Sequence, residues 1–159
     1  MPYLSLQFVR SAIALRNMTT IEANNAQSNA QAPLRMLYVE DNRLNAVLFE
    51  EAMRMREDIE LQCFETAAET IAFLQTEPPW RPDLIVLDAN LPDSTGYDLL
   101  KQLRVLNGLE QTPAFMCSAD AYADDLVRAK QAGFVGYWTK PLDLAQVNQD
   151  IDHWRNTLR

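Results

Sequence analysis

The feature that most constrains this 159-residue chain is a rhythm that runs five times along it. A short apolar run, "RMLYVE", is followed by "NRLNAVLFEEAMRMR", in which Leu44, Val47, Leu48 and Met53 recur at helical spacing. "IELQCF" alternates with period two and leads into the helical "AAETIAFLQ". Then come "DLIVL" with helix "YDLLKQLRVL", "PAFMC" with helix "YADDLVRAKQA", and "FVGYW" with helix "DLAQVNQDIDHWRNTL". Strands separated by helices of this length need crossover connections, so they pair in parallel and are covered by helices on both faces. The pattern predicts a doubly wound α/β chain, (βα)5, with no internal repeat and no second domain.

Open sheets of this kind place their functional crevice beyond the carboxyl ends of the strands. The first strand delivers Glu40 and Asp41 there, the third ends on Asp88, the fourth on Ser118, and the fifth on Lys140 before Pro141. The second delivers nothing ionised before Glu65. The stretch "LIVLDANLPDSTG" is the sharpest of these, because the greasiest strand stops on a carboxylate. An unpaired charge in such a place costs on the order of several kcal/mol. Glu40, Asp41 and Asp88 would repel one another without a cation. Oxygen ligands at a wet sheet edge suit a hard ion, and an incomplete set suits Mg²⁺, which keeps several waters. Lys140 offers a compact positive charge for Asp88 or for an incoming phosphoryl oxygen. Ser118 stands just before a helix, where a hydroxyl and open backbone N–H groups can hold another such oxygen. A carboxylate nucleophile, a divalent ion and donors for equatorial oxygens are what phosphoryl transfer requires. The plainer alternative is that each acid merely caps the helix after it, which suits any one of them but not all five groups at one edge.

Composition narrows the partners. Fourteen Lys and Arg against 22 Asp and Glu leave a net charge of −8, with no basic cluster to release counterions, so nucleic acid is excluded as a direct partner. Cys63 and Cys117 sit in apolar strand-like runs and read as buried free thiols in a reducing cytosol. A single histidine, His153, excludes a His-based triad or a zinc site. Residues 1–33 differ from the rest and read as an extension: "MPYLSLQFVRSAIALRNM" carries two Arg and no acid, and "TTIEANNAQSNAQAP" has linker composition. Gln7, Arg10 and Ser11 break the apolar run too often for a membrane span or a secretory signal. The run fits a weakly amphipathic helix from about Leu4 to Asn17, a disordered leader, or a start at Met18 or Met36. Residues 34–159 form the predicted domain.

Taken together, "LYVEDN", "LIVLDANLPDSTG", "MCSAD" and "GYWTKP" resemble the motifs of the CheY-like receiver domain of bacterial response regulators, in the family's order and spacing, from about Leu34 to Leu158. The resemblance implies a flavodoxin-like sheet of order 2-1-3-4-5 and a cis peptide before Pro141. It implies Asp88 as phosphoacceptor, assisted by Ser118 and Lys140, with Mg²⁺ held by Glu40, Asp41, Asp88 and the carbonyl of Asn90. Tyr137 falls at the family's switch aromatic, working with Ser118. Asn90 and Asp120 fall where the family controls dephosphorylation; both are short and polar, which implies rapid phosphate loss, the alternative being that Asp120 only caps the fourth helix. The departures are Glu40 in place of the commoner Asp, and Asp93-Ser94-Thr95 in place of a more apolar loop. The implied role is a phosphoacceptor in a two-component system, not a turnover enzyme. It would be cytoplasmic, charged by a histidine kinase or a histidine phosphotransfer protein. With no effector segment following, its output is a protein contact with an unknown target. "VEDNRLNAVLFEE", with Asn45, is more like receivers of phosphorelays and hybrid kinases. Two other classes stay open here: an interaction module that is no longer phosphorylated, and a Mg²⁺-dependent phosphatase with an Asp nucleophile, which would want an acid where Asn90 stands.

Overall fold

The computed structural model describes residues 32–120 and 122–158; the expected leader, linker and helix over Leu4–Asn17 lie outside them. Five strands, β1 (Leu34–Val39), β2 (Ile59–Phe64), β3 (Leu84–Asp88), β4 (Ala114–Ser118) and β5 (Gly136–Thr139), alternate with five helices. These are α1 (Arg43–Arg54), α2 (Ala67–Leu74), α3 (Gly96–Arg104), α4 (Ala123–Gln131) and α5 (Leu144–Thr157). All pairings are parallel, in the order β2-β1-β3-β4-β5, the flavodoxin-like arrangement that the alternation and motifs imply.

Successive strand residues point to opposite faces, so the continuous apolar runs split into two cores. Met36, Tyr38, Leu84, Val86, Phe115 and Cys117 face α1 and α5, where they meet Phe49, Met53, Val147 and Ile151. Leu37, Val39, Ile85, Leu87, Ala114 and Met116 face the other way, onto Leu74 of α2, Leu99, Leu100 and Leu103 of α3, and Ala129 of α4. β3 is buried along its whole length, which is why its sequence shows no alternation. β2 alternates in sequence, yet all six of its residues are half-buried, because among the described residues it is an edge strand paired only with β1. Cys63, on β2, is therefore only half-buried, against the expectation of two buried thiols, while Cys117 is fully buried; neither forms a disulfide.

Side chains set where four of the helices begin. Asn42 accepts from the N–H groups of Leu44 and Asn45, Thr66 from Glu69, Thr95 from Asp98, and Asp143 from Ala145 and Gln146. α4 begins after Tyr122 with no side-chain cap. Its other end is closed tightly: Gly133 has φ of +96°, and the N–H groups of Gly133 and Phe134 bond the carbonyls of Lys130 and Ala129.

Candidate functional site

The parallel register brings the carboxyl ends of β1, β3, β4 and β5 to one edge of the sheet. Asp88 pairs with Cys117 across β3 and β4, and Ser118 with Thr139 across β4 and β5, so Asp88, Ser118 and Lys140 lie one step apart on neighbouring strands. The Lys140 N–H donates to the Ser118 carbonyl at 2.8 Å, and the peptide between Lys140 and Pro141 is cis. After β3 the chain doubles back: Ala89 N–H bonds the Cys117 carbonyl, and Gly96 N–H returns to the Ala89 carbonyl. Gly96 is required there, since a Cβ would sit 2.5 Å from the carbonyl oxygen of Asp88.

Charge is concentrated at this edge. Glu40 is 1% exposed and Asp88 6%, whereas Asp41 stands in solvent. Lys140 Nζ bridges the two buried acids, 2.6 Å from Glu40 Oε2 and 2.7 Å from Asp88 Oδ2. The second oxygen of Asp88 accepts the Asn90 N–H at 3.2 Å. Glu40 gathers more donors: the Tyr38 hydroxyl at 2.9 Å, the Asn42 N–H at 3.1 Å and the Asn45 side-chain amide at 3.5 Å. The two acids consequently shift in opposite directions. Burial pushes Glu40 upward, but the Lys140 ammonium with the Tyr38 and Asn42 donors outweighs it and holds the carboxyl below its ordinary range. For Asp88, burial together with the neighbouring Glu40 charge prevails over Lys140 and the Asn90 N–H, and the carboxyl is raised. Burial works against the charge of Lys140, yet its bonds to Asp88 and Glu40 prevail and raise it.

The donor set fits a hard cation. Carboxylate oxygens of Glu40, Asp41 and Asp88 all lie within 4.8 Å of one another, and Asp41 is open to water. A divalent ion there would oppose the upward shift of Asp88 by stabilising its charge.

Ser118 is buried, and its Oγ accepts the Asp120 N–H at 3.1 Å. Asp120 is not the cap of α4, because that position belongs to Tyr122; the capping alternative fails. Asn90 and Asp120 are both exposed, one on the β3–α3 loop and the other on the β4–α4 loop. Tyr137 is half-buried on β5, and its hydroxyl donates to the Asp120 carbonyl at 2.5 Å, so it spans from the sheet to the loop after Ser118. Burial raises its phenol.

Two participants were not read from the sequence. Tyr38 stands on β1 two residues before Glu40, which directly follows the strand and bonds the Phe64 carbonyl through its N–H, and a lone aromatic hydroxyl in an aliphatic strand was the available signal. Asp93 caps α2 from a distance: its two oxygens accept the N–H groups of Ala67 and Ala68 at 3.0 and 2.9 Å, which lowers its carboxyl. The loop that follows Asp88 is thereby tied to a different helix. Thr95, in the same departure from the family pattern, caps α3.

A family model described as "Response regulator receiver domain" matches residues 36–152. The polar-differentiation response regulator DivK of Brucella anthropi is 31% identical over 121 residues, covering 75% of this chain and 94% of DivK. Chemotaxis protein CheY-3 of Vibrio cholerae is 37% identical over 70 residues, 44% of this chain; that match spans only about half of CheY-3, 54%. Among solved structures, the Mn²⁺-bound form of response regulator Rcp1 superposes with a TM-score of 0.63 at 27% identity, over 75% of this chain and 89% of Rcp1. The chain belongs to the response regulator receiver domain family of two-component systems. Among the described residues, no helix is long and apolar enough to cross a membrane.

Proposed function

We propose that Asp88 accepts a phosphoryl group from a phosphohistidine on a histidine kinase or histidine phosphotransfer protein, and that the phosphorylated domain signals in the cytoplasm by contact with another protein. The observation that carries this reading is the Lys140 bridge: one ammonium holds the buried Asp88 and Glu40 together, beside an exposed Asp41, at the open end of the sheet. An oxygen of Asp88 attacks phosphorus, the P–O bond forms as the P–N bond to the donor imidazole breaks, and the imidazole nitrogen keeps the electron pair and takes up a proton. Lys140 neutralises charge on the phosphoryl oxygens. Ser118, whose Oγ already accepts from Asp120, donates its own proton to another. Glu40, Asp41, Asp88 and the carbonyl of Asn90 would hold Mg²⁺, which supplies charge neutralisation between acids and phosphoryl oxygens.

Ser118 moving toward the new oxygens would pull on the loop that Tyr137 holds through Asp120, and so bias α4 and β5. Asn90 and Asp120, short and exposed, leave the acyl phosphate open to in-line water, so the phosphate is lost quickly and the domain serves as a relay or sink. It is an acceptor and not a turnover enzyme. Exposed Leu44, Val47 and Leu48 on α1 give a protein donor an apolar footing beside the site.

The test is incubation with Mg²⁺ and a small-molecule phosphodonor, followed by intact mass. An acid-stable, base-labile gain of about 80 Da is expected on the parent and not on Asp88→Asn, whose amide is no nucleophile. An adduct of equal yield on that variant, or none on the parent, refutes the reading.

A further inference from the structure

We infer that Tyr38 is a positioning residue of the acid site, whose hydroxyl holds Glu40 in place so that Lys140 is free to leave it. The inference rests on the reading of Asp88 as a Mg²⁺-assisted phosphoacceptor. Glu40 has one more rotatable bond than an Asp would, so a fixed carboxylate needs something to hold it. In the structure its Oε1 takes the Asn42 and Asn45 donors, and its Oε2 takes Lys140 and Tyr38. Lys140 is an unsuitable permanent holder. Beside a divalent cation its ammonium is repelled, and a phosphoryl oxygen competes for it. Once Lys140 turns toward the phosphoryl group, Tyr38 is the side chain left on Oε2.

Tyr38 is built for that task. It is fully buried, its ring lies 4.3 Å from that of Phe49, and its strand is interior to the sheet. The hydroxyl therefore cannot wander, and burying it without an acceptor would be costly. The bond also accounts for the tolerance of Glu at this position: the longer carboxylate reaches back to the hydroxyl of the residue two before it, at the end of β1.

The experiment is Mg²⁺ binding by calorimetry, with no phosphodonor present, on the parent, Tyr38→Phe, Glu40→Asp and the double variant, each with its thermal melt. Tyr38→Phe keeps the ring and is expected to weaken Mg²⁺ about ten-fold, the loss typical of removing a group that orients a metal ligand. In the Glu40→Asp background the shorter acid no longer reaches the hydroxyl, so Tyr38→Phe should change nothing further. Equal affinity of parent and Tyr38→Phe overturns the inference, as does an equal loss in both backgrounds, which would mark a packing effect. Should Tyr38→Phe not fold, the Tyr38 ring resonances of the parent are followed as Mg²⁺ is added; they are expected to shift, and constancy overturns the inference. A parent that binds no Mg²⁺ refutes the reading of the site and the inference with it, whereas a binding parent with an indifferent Tyr38→Phe refutes the inference alone.

Discussion

Helices α3 and α4 are both nine residues long and cover the same face of the sheet, but they are held very differently. α3 opens on the Thr95 cap, buries Gly96, Leu99, Leu100 and Leu103, and is anchored beyond its end by Arg104, which donates to the carbonyls of Leu109 and Thr112. α4 opens uncapped, buries only Ala129, and leaves Leu126 and Val127 exposed. Its firm end is the far one, closed at Gly133. The loose end of α4 is thus the end nearest Ser118 and Asp120. On the proposed function, a pull arriving through the loop after Ser118 would displace the uncapped start of α4 more readily than the capped and buried start of α3. The two helices thus differ in how firmly they are held on either side of the acid.

The largest expected difference is in packing. Leu103→Ala in α3 should cost about 2–5 kcal/mol in urea unfolding, because it opens a cavity in a closed core. Leu126→Ala in α4 should stay within about 0.5 kcal/mol, as exposed substitutions do. Similar losses would break the comparison. Next comes the cap: Thr95→Ala should cost about 1 kcal/mol and speed amide exchange in the first turn of α3. The converse change, Tyr122→Ser, gives α4 the cap it lacks. It should stabilise by about 0.5 kcal/mol and shrink the change in α4 hydrogen exchange produced by beryllofluoride, a phosphoryl mimic. An undiminished response would show that the N-terminal turn is not where α4 moves. The smallest effect concerns a contact between the two helices, Arg128 over the Tyr97 ring at 4.3 Å. Arg128→Gln should cost about 0.5 kcal/mol while raising exchange in α4 and not in α3.

The fold was legible because a strand buried on both faces has to be apolar along its run, and β3 and β4 are so up to their last residues. The main site groups were legible for a related reason: Glu40, Asp88, Ser118 and Lys140 each end an apolar run, where a polar residue stands out. Burial along β2 was not legible, since alternation reports a half-covered strand but not that it lies at an edge. Asp93 could not be found either, because its partners Ala67 and Ala68 lie about 25 residues away and offer only backbone N–H groups. The second partner of Lys140 was hidden by the same kind of gap. From sequence Asp88 was its natural counter-charge, and only the β1–β3 pairing shows that Glu40 arrives at the same ammonium. The weakness at the start of α4 escaped because Asp120 looked like a cap, and the helix starts too late to use it.

An open sheet has two rims, and among the described residues they are β2 and β5, each with one side of its backbone ladder unpaired by another strand. Such rims are templates on which another copy could extend the sheet. Association of that kind is opposed by the net charge of the chain, −8 at neutral pH. Acidification removes that opposition, since protonating carboxylates cancels the repulsion between copies before it need disturb the core. Light scattering should therefore rise in mild acid while circular dichroism still reports a native fold, and added Asp or Glu on the rims should postpone it.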